Sequence, residues 1–272
     1  MFGSESNVDE AVGFVRSIPT DEEIFVGFSG GKDSIVTAKI MELSGRQYRL
    51  FYSFTGIDPP EVVRFIRNHY PECKFLHPLS RDFWSKLSVN VPPSNRLRWC
   101  CRVLKKEPAW QMPHTSRVMG IRAEESYARK KRGRVNFIEK IGHHQYYPIF
   151  YWKEWEIWEF IESYQLPYPK MYDEGFDRIG CVVCPFHSEK TGRMHQMYRD
   201  RWPKYFDRWE RGIKELWEKR LGQGKDMAYD SPEEFLKAWY LDDSARWYAE
   251  KRKAINGQIQ MEMFPKDQKE GK

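Results

Sequence analysis

The sequence predicts an α/β fold built on a parallel sheet and extended by aromatic-rich helices towards its C-terminal end. Three observations carry this expectation. The apolar run Ile24 to Phe28 leads directly into Ser29-Gly30-Gly31-Lys32-Asp33-Ser34 and then a striped helix, as a buried central strand feeding a tight turn would. Short apolar segments alternate with helical periods as far as Ile121, the order that builds a right-handed parallel sheet. Beyond Ile157 the apolar residues keep helical spacing and no strand signal returns.

Taken in order, Asn7 with Glu10 reads as a helix-capping pair, backed by a stripe of Val8, Ala11, Val12 and Val15. After the first strand, Gly30 and Gly31 let the backbone take positive φ and approach a ligand closely. The next helix starts near Asp33 and carries Val36, Ile40 and Leu43 on one side. Its unpaired first amides and its dipole make an anion site suited to phosphate. Lys32 adds a full charge there, and Ser29 and Ser34 add hydroxyl donors. The Gly-x4-Gly-Lys spacing of a Walker A loop is absent.

A second strand, Tyr48 to Phe54, ends in Phe54-Thr55-Gly56-Ile57-Asp58, and Pro59-Pro60 opens a helix through Val62, Val63 and Ile66. Lys74 to His77 and Ser116 to Ile121 complete the expected strands. A ligand belongs at the carboxyl ends of such strands. The glycine turn, Thr55-Gly56 and Gly120-Ile121-Arg122 all fall there.

Farther on, Ile157, Phe160, Ile161 and Tyr164 mark one helix, and Trp202, Tyr205, Phe206, Trp209, Ile213 and Leu216 a long one. Ser231-Pro232-Glu233-Glu234 is a capping box opening a helix with Phe235, Leu236, Trp239 and Tyr240. These stripes are expected to form core rather than stacking platforms. The reading divides the chain into a nucleotide-binding domain, 1–195, and a helical extension, 196–272, with a frayed tail from Pro265.

At 272 residues and 40% hydrophobic the chain can bury a sizeable core, and a net charge of +6 suits anionic ligands. No apolar run reaches membrane-spanning length, and the first residues lack the basic-then-apolar order of a signal peptide. A cytoplasmic location is expected, so the five cysteines read as metal or redox groups rather than a disulfide framework. Cys100 and Cys101 are adjacent, and Cys181 and Cys184 form Cys-x-x-Cys. Two pairs suit tetrahedral zinc or an iron–sulfur cluster, and neighbouring thiolates fit separate iron corners better than one small zinc ion. The plainer alternative is two unrelated thiol pairs, or a redox dithiol at Cys181 and Cys184. Cys73 reads as a structural thiol.

Arg129-Lys-Lys-Arg-Gly-Arg134 reads either as a solvated loop or as a phosphate or nucleic-acid contact. Arg96, Arg98, Arg102, Lys105 and Lys106 surround the first cysteine pair and would offset a cluster's negative charge. His143 and His144 are expected at the surface, and His187 alone beside Cys184 is weak evidence for ligation.

The Ser29 to Ser34 string resembles the PP-loop of the adenine-nucleotide α-hydrolase superfamily. The cysteine pattern resembles the [4Fe-4S] signature of the adenylyl-sulfate reductases, within the phosphoadenylyl-sulfate (PAPS) reductase family. Ser53-Phe-Thr-Gly56 resembles that family's Asp-Thr-Gly turn, with Phe54 where Asp is usual. Gly120 to Ser126, Pro148 to Trp158 and Pro167 to Gly180 resemble further segments of it, so the likeness covers roughly residues 20 to 190.

The resemblance implies ATP, adenylyl sulfate or PAPS held by Ser29, Gly30, Gly31, Lys32, Asp33, Ser34, Thr55, Gly56 and Arg122. Lys32 and Asp33 would be catalytic, with Asp33 positioning the loop or Mg²⁺. Cys100, Cys101, Cys181 and Cys184 would hold the cluster. Family reductases attack sulfur with a cysteine in a C-terminal Glu-Cys-Gly motif, and no cysteine follows Cys184 here. The expectation therefore turns to the family's cluster-containing sulfurtransferase branch, which resembles the enzymes of DNA phosphorothioation and tRNA thiolation. Such an enzyme activates an acceptor with ATP and takes sulfur from a cysteine desulfurase or another donor. Arg129 to Arg134 would then meet DNA or tRNA. An adenylyl-sulfate reductase using an external thiol, and a non-catalytic nucleotide-sensing partner protein, are the alternatives. An oligomer is compatible with each.

Overall fold

The computed structural model describes residues 4–80, 82–90, 92–94, 97–187, 192–224 and 229–240. Arg96 and the tail from Pro265 lie outside these residues. The chain forms two compact units: the described residues up to Phe83 with Trp99–Cys181, and Trp84–Arg98 with the described residues from Val182 onward. A division at 195/196 leaves Trp84–Arg98 with the sheet. The described residues of 84–98 instead group with the later helices, where Trp239 Nε1 donates to the Pro93 carbonyl at 2.8 Å.

In chain order the elements are α1 (Ser4–Arg16), β1 (Ile24–Gly27), α2 (Lys32–Ser44), β2 (Tyr48–Ser53), α3 (Pro60–His69), β3 (Lys74–Leu76) and the short α4 (Phe83–Leu87). Next come α5 (Trp99–Cys101), a π-helical segment Arg102–Lys106, α6 (Glu107–Trp110), β4 (Ser116–Met119), α7 (Tyr127–Lys130), β5 (Val135–Ile138), β6 (His143–Tyr146) and α8 (Glu154–Ser163). The second unit adds α9 (Arg193–Arg201), α10 (Pro203–Gly222) and α11 (Pro232–Tyr240). No helix among the described residues is long and apolar enough to cross a membrane.

The sheet of the first unit runs β3-β2-β1-β4-β6-β5. Every pairing is parallel except β5 with β6. Its centre is apolar because β1 is covered on both faces: Ile24, Phe25 and Val26 are buried, and Phe25 stacks on Phe51 at 4.4 Å. The chain leaves β1 towards β2 and reaches β4 on the other side, so the crevice beyond these strand ends is the switch point where an open sheet receives ligands.

Two expectations are corrected here. Asn7 does not cap a helix: α1 starts at Ser4, Asn7 donates to Glu156 and Glu10 pairs with Arg134. His143 is buried rather than at the surface, because β6 pairs parallel with β4 in the sheet, while His144 is exposed. Neither β5 nor β6 was expected.

Arg117 on β4 ties the cysteine-bearing helix to the sheet. It is buried, lies over the Phe25 ring at 4.6 Å, and donates to the carbonyls of Ala109 (2.8 Å), Met112 (3.1 Å) and His114 (3.2 Å). These include carbonyls at the C-terminal end of α6, where helical acceptors lack partners and the dipole favours a cation. Burial lowers the guanidinium pKa to about 10, which leaves it charged at neutral pH.

In the second unit, α10 and α11 bury their aromatic stripes as expected. Trp209 and Trp239 are fully buried with centroids 4.8 Å apart. Half of the expected capping box forms: the Glu234 amide donates to Ser231 Oγ at 3.1 Å, but the Glu234 carboxylate accepts from the Asp230 amide at 2.9 Å rather than from Ser231.

Gly120, just past β4, fixes how close α2 comes to that strand. A Cβ there would lie 2.6 Å from the Asp33 carbonyl oxygen and 2.8 Å from Thr37 Oγ1. Gly120→Ala is therefore expected to cost roughly 1–3 kcal/mol, read as a lower urea midpoint with an unchanged slope. An unaltered midpoint would show that the start of α2 yields without cost.

Candidate functional site

The turn between β1 and α2 is braced from within and from outside. Gly30 has φ +72°, and a Cβ there would press to 3.0–3.1 Å against Ile66 and Val62 of α3. Only glycine combines that dihedral with that clearance. Ser34 Oγ donates to the Gly31 carbonyl at 2.8 Å and accepts from the Ser29 amide at 3.2 Å, so the two serines close the loop on itself.

Lys32 is buried at 5% exposure with both ends engaged. Its amide donates to the Tyr172 hydroxyl at 3.1 Å. Its ammonium lies 3.2 Å from Glu154, 3.8 Å from Asp33 and 3.4 Å from the Asp177 carbonyl, above the Tyr172 ring. Asp33 also pairs with Arg122, which is itself buried and holds Glu124 at 2.6 Å. The burial of Arg122 works against its charge, but Asp33, Glu124 and Glu125 more than offset this, and its pKa is raised.

A cavity of about 650 Å³ opens beside this loop at the strand ends, reaching from Phe25 and Phe51 past Ser29 and Ser34 to Arg132. Its walls combine aromatic rings, the Gly27 and Gly120 backbones and the cations Lys105, Lys106 and Arg129. It has the volume of a small-molecule pocket. Aromatic rings and cations lining one cavity suit a purine nucleotide.

After β2, the Thr55 amide donates to Asp58 at 2.7 Å, and the Ile57 amide to Thr55 Oγ1 at 3.3 Å. Gly56 takes φ +77°. Thr55 Oγ1 lies 3.6 Å from Cys181 Sγ. Ser53 Oγ donates to the Lys105 carbonyl at 3.2 Å and so fastens the π-helical segment that follows Cys100 and Cys101. Burial pushes the Cys181 thiol pKa up; Asp58 and Cys101 add to the shift, while Lys105 and Thr55 oppose it.

The structure therefore brings together Ser29 to Ser34 with Arg122, and Thr55 with Cys181 near Cys101 and Lys105. All five cysteines are described, and none is in a disulfide. Among the described residues, no three His, Cys, Asp or Glu side chains gather as a metal-holding group. Within the first unit, Cys181 lies against Thr55 with Cys101 and Lys105 acting on it, thiol and cation chemistry that would suit an iron–sulfur group. Cys73 is buried behind β2, and burial raises its pKa to about 12.

Several contributors had no local signal in the sequence. Tyr172 and Glu154 reach Lys32 from more than 100 positions away in the chain. Asp58 did carry a signal, since an Asp three residues past the strand-end Thr is a common turn former. In the basic run, Arg134 is structural: it pairs with Glu10, stacks on Phe14 and donates to the Pro148 carbonyl. Arg129 pairs with Glu125. His187 is buried against the Tyr198 ring at 3.9 Å.

The parallel sheet, the switch-point crevice and the braced glycine loop define a PP-loop α/β protein. The family model described as the phosphoadenosine phosphosulfate reductase domain matches residues 23–187, more than half of the chain. The chain belongs to that family. It is 30% identical over 230 residues to an uncharacterised protein of Methanocaldococcus jannaschii, covering 79% of this chain and 47% of that one. It is 29% identical over 183 residues to an adenosine 5′-phosphosulfate reductase of Allochromatium vinosum, covering 60% and 68%. The chain spans about half the length of the first curated relatives it matches. A PAPS reductase structure from Candida auris superposes with a TM-score of 0.52 at 18% identity, over 66% of this chain and 97% of the other. That likeness shows the fold.

Two outcomes test the site. Tyr172 accepts from the loop amide and keeps its own O–H to donate, and burial raises its pKa so that it stays protonated. Tyr172→Phe should change ATP affinity by roughly ten-fold, in line with one hydrogen bond to a charged group, while its ring still packs on Trp158; equal calorimetric affinities would exclude Tyr172 from the phosphate site. Because the Cys73 pKa of about 12 lies well above the usual thiol value, its thiolate fraction is negligible at pH 8 and grows only in strong alkali. Cys73 should therefore resist iodoacetamide at pH 8 in folded protein and react once the protein is unfolded, as peptide mass spectrometry would show.

Proposed function

We propose that this protein is an ATP-using sulfurtransferase of the PAPS reductase family, which adenylylates an oxygen of a nucleic-acid acceptor so that sulfur can replace it. The observation that carries the reading is the pairing of two features at adjoining strand ends: a phosphate loop with two buried cations, and Cys181 against Thr55 beside Cys101. The Ser29 to Ser34 loop and Lys32 hold the β and γ phosphates, and Arg122 neutralises charge at the α phosphate. Thr55 and Gly56 line the adjoining strand end. Asp33 holds Lys32 and Arg122 in place and offers a carboxylate to Mg²⁺.

In the first step the acceptor oxygen attacks the α phosphorus. The bond to the bridging oxygen breaks, and pyrophosphate leaves with the electron pair. Positioning and charge neutralisation dominate such a displacement. In the second step the outer sulfur of a persulfide supplied by a cysteine desulfurase or another donor attacks the adenylylated centre, the activated oxygen leaves in AMP, and an external thiol reductant cleaves the remaining S–S bond to release the donor and leave sulfur on the acceptor. Cys100, Cys101, Cys181 and Cys184 would hold a [4Fe-4S] cluster, whose chemistry is to carry sulfur or to keep the site rigid. Lys130, Lys131 and Arg132 supply positive charge for DNA or tRNA. A cytoplasmic setting suits this chemistry, since it keeps thiols reduced.

One observation favours a second reading. The identity to an adenosine 5′-phosphosulfate reductase supports reduction of adenylyl sulfate. Within this chain the one cysteine outside the two pairs is buried and protonated, so that reading needs an external thiol.

The test is product analysis with the acceptor present. Pyrophosphate formed from ATP supports the sulfurtransferase, whereas sulfite formed from adenylyl sulfate with thioredoxin supports the reductase and overturns it. Lys32→Ala should slow pyrophosphate release on the order of 100-fold; an unaffected rate would remove the loop from the reaction. Anaerobically prepared protein should be brown and carry about four irons per chain, with the colour lost in Cys101→Ser. Stoichiometric zinc without iron would replace the cluster with a zinc site.

A further inference from the structure

Among the described residues, the three most exposed large apolar side chains are Tyr127, Tyr151 and Trp155, at 73%, 66% and 62%. They lie on the two segments that also carry Arg122 and Glu154, the residues that hold Asp33 and Lys32. Those segments are fastened side by side. The Ala123 amide donates to the Phe150 carbonyl at 2.8 Å, the Glu154 amide donates to Glu124 at 2.9 Å, and Lys153 pairs with Glu124 at 3.6 Å. Three large rings in water at the edge of a phosphate site are costly for folding alone, because each leaves apolar surface hydrated.

The charge around them is positive once the local pairs are taken out. Glu124 is held by Arg122 and Lys153, Glu125 by Arg129, and Glu154 by Lys32. Lys130, Lys131 and Arg132 are exposed, and no carboxylate among the described residues pairs with them. Lys131 lies over the Tyr127 ring at 4.6 Å, and Arg134 over the Tyr151 ring at 5.7 Å. Arg132 also lines the cavity. Rings interleaved with cations, beside a nucleotide-sized cavity, complement a ligand that alternates flat bases with phosphates. In a duplex the base faces are covered by their neighbours, so only unpaired nucleotides can use such rings.

We infer that Tyr127, Tyr151 and Trp155 form a stacking rim that receives unpaired nucleotides of a single-stranded or looped nucleic acid and delivers its acceptor oxygen to the cavity. This rests on the nucleic-acid acceptor proposed above and names the form that acceptor takes.

The experiment uses the full chain and a labelled single-stranded oligonucleotide, with the matching duplex as the comparison. Fluorescence anisotropy across a salt series reads both affinity and charge contacts. The triple variant Tyr127→Ala, Tyr151→Ala, Trp155→Ala should lose on the order of 10- to 100-fold in single-strand affinity. Its log–log salt slope should stay unchanged, because every cation that meets a phosphate is still present. Lys130→Ala with Lys131→Ala should instead flatten that slope by about 0.7 for each phosphate no longer neutralised. Trp155→Phe keeps a ring and should retain most of the binding. ATP affinity should match wild type in the triple variant, which also reports that it is folded.

Equal oligonucleotide affinity in the triple variant and wild type would overturn the rim and leave the acceptor reading standing. Tighter binding of the duplex than of the single strand would also overturn the rim. If wild type releases pyrophosphate from ATP yet binds no nucleic acid at low salt, the acceptor reading fails and the rim fails with it; the exposed rings would then be a protein interface.

Discussion

Everything at the carboxyl end of the sheet depends on one carboxylate, that of Asp33. Lys32 and Arg122 are both buried, and a buried cation is tolerated only when it is paired. Asp33 is an anion shared by both. It sits in the first turn of α2, where the helix dipole also favours a negative charge. Its position follows from Gly120, whose missing Cβ lets the end of β4 lie against the Asp33 carbonyl. A glycine on one strand end, a carboxylate on a helix and an arginine beyond the strand thus form one mechanical unit. Without the carboxylate, Lys32 would keep only the half-exposed Glu154, and Arg122 only Glu124 and Glu125, so both buried charges would be less fully compensated.

On the proposed function, the same network bears on how a site with its cations already paired would receive a polyanion. Lys32, Arg122 and Lys153 alternate with Asp33, Glu124 and Glu154, so the cage is close to neutral. The members are not held equally. The Glu154 side chain is 55% exposed, against 21% for Asp33, and an exposed partner contributes little to an ion pair. On the function proposed here, a phosphate arriving at Lys32 would displace Glu154 and leave Asp33 in place.

Much of this was legible in the chain, and the parts that were not share a physical cause. The glycine loop, the strand ends and the α11 cap are local devices, written in consecutive residues whose chemistry has few other uses. The β5–β6 hairpin was hidden because its strands are short and polar: His143-His144-Gln145-Tyr146 has no apolar alternation, and its burial comes from pairing with β4. Asn7 and Glu10 looked like a cap because spacing cannot tell a reach within one helix from a reach to α8 or Arg134. Tyr172 and Glu154 were invisible for the same reason, since only the folded sheet brings them to Lys32.

The segment from Tyr168 to Cys181 gives those distant contacts a common purpose. It is anchored at Lys32 twice, through the Tyr172 hydroxyl on the amide and the Asp177 carbonyl on the ammonium. It is anchored a third time where Cys181 meets Thr55. Trp158 on α8 braces it, edge-on to both Tyr168 and Tyr172 at 5.3 and 5.1 Å. A short stretch of chain held at both ends cannot shift at one without strain at the other. A ligand that replaces Tyr172 on the loop amide must therefore move the chain leading to Cys181, or bind around it. In either case the glycine loop and the cysteine are coupled through one stretch of chain.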